Sequence, residues 1–243
     1  MNLSPDEIEV FRLFGLRVNM TLVDTWLVIA LLFVFARLLS ANSVRMPRAR
    51  NFAEAAVGFV RDQVEGLLGR PADRFVPFIG SLFIFILACN WSALLPIPYP
   101  VGGGLKWYMA PTASASTTVA LALVVLASCA YFGIERHGRR YFRKYFEPVF
   151  FLFPLNVLAE ASRGFSLAVR LYGNIMSSGA LGSVAFIVAP IVFPGLLSVY
   201  GLVAGTIQPY IFAVLAAVYI GSSLGEPTKA DAARLAKLGK LRG

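Results

Sequence analysis

LNVLAEASRGFSLAVRLYGNIMSSGALGSVAFIVAP, residues 155–190, is apolar enough to lie in a membrane, yet it carries two arginines and a glutamate. Its strongly polar side chains are Asn156, Glu160, Arg163, Arg170 and Asn174, at gaps of four, three, seven and four positions. Such a series returns to one face of an α-helix. A charge at mid-bilayer costs about 3 kcal/mol on insertion scales. Tolerated accidents would not align on one stripe, so the stripe faces a protein partner or water. Glu160 and Arg163 stand one helical turn apart and can pair, either as a bridge fixing two helices or with a direct part in transport. Arg170 has no carboxylate within four residues on either side, and a guanidinium stays protonated even when buried. A permanent, unpaired charge at that depth points to function rather than packing.

Outward from this stretch the chain keeps the same character. Of its 243 residues, 58% are hydrophobic and 14% charged, whereas soluble domains run near about 45–50% and about 25%. Five apolar segments emerge, at about 21–39, 76–95, 115–134, 155–189 and 191–222. Several approach the roughly 20 residues that cross a bilayer. The expected fold is therefore an all-α integral membrane protein, a single polytopic domain over residues 1–243. It divides into an external arm (1–20), a membrane region (21–222) and a basic tail (223–243). The opening residues lack the basic start and short apolar centre of a cleavable signal peptide. The first spanning helix then serves as the targeting signal.

The net charge of +9 gathers in loops, which is what membrane topology produces and nucleic-acid binding does not require. The N-terminal arm sets Asp6, Glu7 and Glu9 against Arg12 and Arg17, and the loop 96–114 holds only Lys106. By contrast, residues 41–75 carry six arginines and four acids. Residues 135–148 and the tail from Glu226 each hold five basic residues against two acids. Strongly basic loops alternate with weakly charged ones, so the N-terminus is expected outside and the C-terminus in the cytoplasm. Cys89 and Cys129 fall in apolar runs without the spacing of a disulfide framework or metal site. No cofactor is expected.

Between the first two spans, RNFAEAAVGFVRDQVEGLLG (50–69) places Phe52, Ala56, Phe59, Val60, Gln63, Leu67 and Leu68 at helical spacing. Arg61 and Glu65 are set for an i,i+4 pair. This predicts an amphipathic helix that lies at the cytoplasmic interface or packs on a partner helix. Residues 155–189 as one helix would run roughly 50 Å, against a hydrocarbon core of about 30 Å. Such a helix must tilt, kink or lie partly along the membrane. If it forms an antiparallel hairpin with the last segment, turning near Pro190, Arg170 comes opposite Gln208. That is the one strongly polar side chain in the middle of the last segment, and its carbonyl could orient the guanidinium without neutralising it. Pro209 is expected to bend the helix there.

RLYGNIMSSG with IQPYIFAVLAAVYI (207–220) resembles the paired signatures of subunit a of the F-type ATP synthase. EASRGFSLAVR, RNFAEAAVGFVRDQV, LLPIPYP and PTASASTTVALAL follow in register. The resemblance spans nearly the whole chain, and its wording is closest to the bacterial N-ATPase branch. It implies an ion-conducting stator in the bacterial cytoplasmic (inner) membrane. The implied partners are a ring of c-subunits, peripheral-stalk b subunits and the rest of the complex. It implies that Arg170 faces a carboxylate on each passing c-subunit, with Gln208 and Asn174 orienting it. It also implies that Asp24 helps shape the external half-channel, and that Glu160 and Arg163 lie on the cytoplasmic side. Three positions depart from the family pattern. Gly179 stands nine residues after the arginine where relatives carry glutamate, Gly201 replaces a histidine, and Ser114 replaces an acid. Water held by Ser114, Ser116, Thr117, Ser177, Ser178 and Tyr200 is the expected substitute.

The chain has no GxxxxGK[ST] loop, so nucleotide chemistry belongs to other subunits and the chain is not an enzyme on its own. Two other readings stay open at this point. One is an autonomous secondary transporter or channel, although no internal repeat is visible. The other is a degenerate paralogue kept for assembly only. Whether protons or sodium ions are carried rests, by the resemblance, mainly on the c-subunit carboxylate site.

Overall fold

The computed structural model describes residues 9–13, 16–41, 47–92, 98–101, 104–107, 110–138, 153–188 and 192–225. Among them are six α-helices: α1 (Met20–Ala41), α2 (Pro47–Leu68), α3 (Val76–Ser92), α4 (Ala115–His137), α5 (Phe153–Val188) and α6 (Val192–Leu224). Five of these coincide with the five apolar runs, and α2 with the predicted amphipathic helix. The membrane architecture is built from these helices. Two short antiparallel hairpins accompany it, β1 (Glu9–Leu13) with β2 (Leu16–Asn19) and β3 (Pro98–Val101) with β4 (Gly104–Trp107). They occupy the stretches whose composition predicts only an arm and a loop. Gly102-Gly103 separates β3 from β4 in the sequence, a glycine pair of the kind two-residue hairpins prefer. The basic loop at 139–152 and the tail from Glu226 lie outside the described residues.

Helix α6 is the centre of the bundle and packs against α2, α3, α4 and α5. Its Ala213, Ala216 and Ala217 are small and spaced by three and one, which lets neighbouring backbones approach. Phe212 and Ile220 on α6, Ile79 and Ile86 on α3, Val125 on α4 and Leu171 on α5 belong to the same buried cluster. In contrast, α1 touches the bundle through α3 and the turn before α4. It turns Trp26, Leu27, Leu31 and Phe33 outward, an apolar surface suited to lipid. By length and apolarity Thr21–Leu38, Ala115–His137 and Leu196–Leu224 are candidate spans, and Val76–Ser92 is a shorter apolar helix. At 36 and 33 residues, α5 and α6 extend roughly 54 and 50 Å. They cannot both stand upright within a core of about 30 Å.

Of the two expectations for α2, packing on a helix is the one observed. Val60 and Val64 are buried against the core. The Tyr210 hydroxyl of α6 donates to Gln63 Oε1 at 3.0 Å, and the Phe59 and Tyr210 rings lie 5.5 Å apart. On the opposite face Arg61 pairs with Glu65 at 3.0 Å and also with Asp73. Hydrogen bonding to Glu65, then the charge of Asp73, raises the Arg61 pKa above its ordinary value. Because the Tyr210 bond joins two helices, Tyr210→Phe should cost about 1 kcal/mol. Thermal melting of the detergent-solubilised protein should drop by about 2–4 °C, and an unchanged melt would show that the bond contributes nothing.

Ion pairs and aromatic contacts close the α2 end of the bundle. Arg74, in the 3₁₀ turn Arg70–Arg74, pairs with Glu135 near the end of α4. Phe75 and Phe132 meet edge to face at 4.9 Å. His137 Nε2 donates to the Leu224 carbonyl at 2.9 Å, tying the end of α4 to the end of α6.

Candidate functional site

The placement of α5 on its neighbours decides where the polar stripe points. Gly164, Leu167, Ala168 and Leu171 recur at helical spacing and are buried. They form the ridge that packs on α4 and α6. Gly164 permits the close approach, because a Cβ there would fall 2.4 Å from Leu126 Cδ1 of α4 and the leucine would have to shift. At roughly 100° per residue, Glu160 falls within the arc of that ridge, with Asn174 and Arg163 to one side of it. Arg170 lies furthest around, about 20° beyond Arg163.

The observed contacts follow that geometry. Glu160 and Arg163 pair at 3.4 Å, and the Arg163 guanidinium sits 5.7 Å from the centre of the Tyr219 ring of α6. The ion pair itself stays within α5, and Arg163 reaches α6 through the Tyr219 ring. Asn156 is half-buried. Asn174 Nδ2 donates to the Ala204 carbonyl at 3.5 Å, a long bond. Asn174 is one turn beyond Arg170 and Ala204 one turn before Gln208, so the antiparallel register brings Arg170 and Gln208 to one level. Their burial differs. Arg170 is exposed, and no hydrogen bond or ion pair reaches it from the described residues. Gln208 is 6% exposed, and its Nε2 is enclosed without a partner among them. Beside Arg170 the surface is open, since a Cβ on Gly173 would meet nothing within 4 Å.

A second polar group is buried toward the end of the bundle where α1 and α4 begin and α3 finishes. Thr21, Asp24, Asn90, Thr112, Ser114 and Thr118 are each at most 5% exposed. The 3₁₀ turn Pro111–Ala113 packs against α1, α3, α4 and α5, which is why Thr112 and Ser114 are enclosed. Ser114 and Ser116 hydroxyls are 2.6 Å apart. Thr112 Oγ1 donates to Asn90 Oδ1 at 3.1 Å, and Asn90 Nδ2 donates to the Gly205 carbonyl at 3.1 Å. Trp91 Nε1 donates to Thr206 Oγ1 at 3.0 Å. Thr117 is half-buried, while Ser177 and Tyr200 are exposed and do not join this group. Ser178 lies within α5, with its side chain outside the described features. Asn90 and Thr112 are absent from the sequence-derived candidates. The available signal was Asn90 as the one amide in the apolar run of α3, but nothing local names its partners.

These features define a polytopic helical membrane protein with a cation that has no partner among the described residues on one long helix and a neutral polar group buried beside it. The family profile of the ATP synthase A chain matches residues 22–221. ATP synthase subunit a 2 of Acaryochloris marina is 40% identical over 92% of this chain and 93% of its own. Subunit a 1 of Chlorobium luteolum is 38% identical over 92% and 97%, and subunit a of Nitrosospira multiformis 34% identical over 93% and 88%. The chain belongs to the ATP synthase subunit a family, the non-catalytic ion-channel stator subunit of the membrane sector. These matches assign the family and no branch within it.

Proposed function

We propose that the chain supplies two half-channels to the carboxylates of a c-ring and that Arg170 is the fixed charge separating them. The observation that carries this is Arg170 itself, exposed at mid-helix and without a partner among the described residues. A guanidinium left unpaired on a membrane-facing surface calls for an anion from another chain. A ring carboxylate arriving opposite Arg170 is favoured in its ionised form, so it releases its proton or cation into the exit path. The same field repels free cations and blocks direct passage from one path to the other. The open surface at Gly173 leaves room for a helix to sweep past.

Asp24 and Ser114 of the buried group line the external path in this reading. Hydroxyls there can hold water where acids at 114 and 179 and a histidine at 201 are missing. The ion-paired end then faces the cytoplasm, with the N-terminus outside and the basic tail inside. The c-ring, peripheral-stalk b subunits and the remaining F-type subunits are the partners, in the bacterial inner membrane. The wording of the motifs supports the N-ATPase branch. Reconstitution tests the reading. The purified chain alone in liposomes should leave an imposed ion gradient intact, while the assembled complex should pump on addition of ATP. Solute movement by the chain alone would favour a free-standing transporter.

A further inference from the structure

Pro209 stands inside α6, which remains helical through it. Proline has no N–H and its ring crowds the carbonyl four residues back, so the Gly205 carbonyl loses its helical donor. That carbonyl lies in a buried segment, where an unmatched oxygen is costly. Asn90 of α3 supplies the missing donor, Nδ2 to the Gly205 carbonyl at 3.1 Å. The Asn90 amide could point either way on its own. The Gly205 carbonyl decides it, because it can only accept and so takes Nδ2, which leaves Oδ1 to be held by the Thr112 hydroxyl donating at 3.1 Å. The backbones are close, since a Cβ on Gly205 would sit 3.5 Å from Asn90 Cβ. The next residue of this proline-marked turn also bonds to α3, through Thr206 and Trp91. Gln208 follows within the same turn, buried at the level of Arg170.

We infer that Asn90 and Thr112 are positioning residues. They replace the hydrogen bond removed by Pro209 and so fix the height and rotation of Gln208 relative to Arg170. The inference rests on the proposed role of Arg170 and Gln208 in ion transfer. Neither Asn90 nor Thr112 needs to touch the ion. Their effect passes through the α6 backbone.

The test uses the whole complex in native membranes, with subunit content measured beside ATP-driven pumping. Asn90→Leu keeps the size and removes both bonds. Pumping should fall about tenfold at equal complex content, the scale expected when a buried carbonyl is left without a donor. The decisive variant is Asn90→Leu with Pro209→Ala, because alanine returns an N–H to Gly205. Pumping should recover by about fivefold over Asn90→Leu alone, which a general packing defect would not allow. If Asn90→Leu fails to assemble, Thr112→Val decides, with an expected loss of about threefold. Wild-type pumping in Asn90→Leu or, where that variant does not assemble, in Thr112→Val, or a double variant no better than Asn90→Leu, would overturn the inference. Arg170→Ala in parallel membranes keeps the two ideas apart. If it is inactive while the Asn90 and Thr112 variants are normal, only the positioning role fails. If it still pumps, the reading beneath it fails.

Discussion

Arg170→Ala is expected to reduce ATP-driven ion pumping at least about a hundredfold while the complex still assembles. The magnitude follows from removing a charge aimed at a site where charge develops, in surroundings without bulk water. The assembly half follows from structure. Arg170 is exposed and bonded to none of the described residues, so truncation removes nothing that holds α5 in place. Arg170→Lys should be intermediate, with a loss of about tenfold, because an ammonium keeps the charge but not the planar fork that meets a carboxylate. Loss of assembly in Arg170→Ala would instead assign the residue to packing.

The second large effect sets two glycines of α5 against each other. Gly164→Leu should cut the amount of assembled complex about fivefold or more, since even a Cβ there meets Leu126 Cδ1 at 2.4 Å. Overpacking of this kind costs about 1–3 kcal/mol. Leu126→Ala should restore part of the loss by opening the opposing side. A Cβ at position 173 would meet nothing within 4 Å, so Gly173→Leu should leave assembly unchanged. Pumping should nevertheless collapse, because the new side chain stands where the ring must pass. Immunoblots of membrane-bound complex and pumping assays separate the outcomes. Equal behaviour of the two variants would contradict the assignment of packed and open faces.

Much of the architecture was legible from periodicity alone. Apolar runs marked α1 and α3 to α6 to within a few residues, because in lipid an apolar run must satisfy its own backbone and so becomes a helix. The Arg61–Glu65 pair and the α5–α6 register were legible for the same reason, since both depend only on helical rise. What the register cannot convey is rotation. It brought Arg170 and Gln208 to one level but could not show one facing out and the other in. That difference came from the ridge at Gly164, Leu167 and Leu171, whose match is Leu126 on another helix.

Long-range partners were equally hidden. Val64, at 1% exposed, is the most buried of the described side chains of α2 and falls outside the seven positions that define its predicted face. The contacts of α2 with α3 and α6 select it. Pro209 was legible as a bend, but Asn90, which meets the Gly205 carbonyl left by it, lies 115 residues away in sequence. The turn that encloses Thr112 is set by four helices at once. Of the candidate hydroxyls, Ser114 and Ser116 came together, whereas Ser177 and Tyr200 remained on the outer surface. No periodic signal distinguishes these fates.

The most direct measurement is the passive ion leak of de-energised membranes containing the complex, with and without Arg170→Ala. A fixed charge that separates two half-channels should keep the wild-type leak low. Its removal should open a leak that depends on the c-ring carboxylate and disappears when that group is modified with a carbodiimide. A leak unchanged by the substitution, together with pumping that persists, would contradict the account.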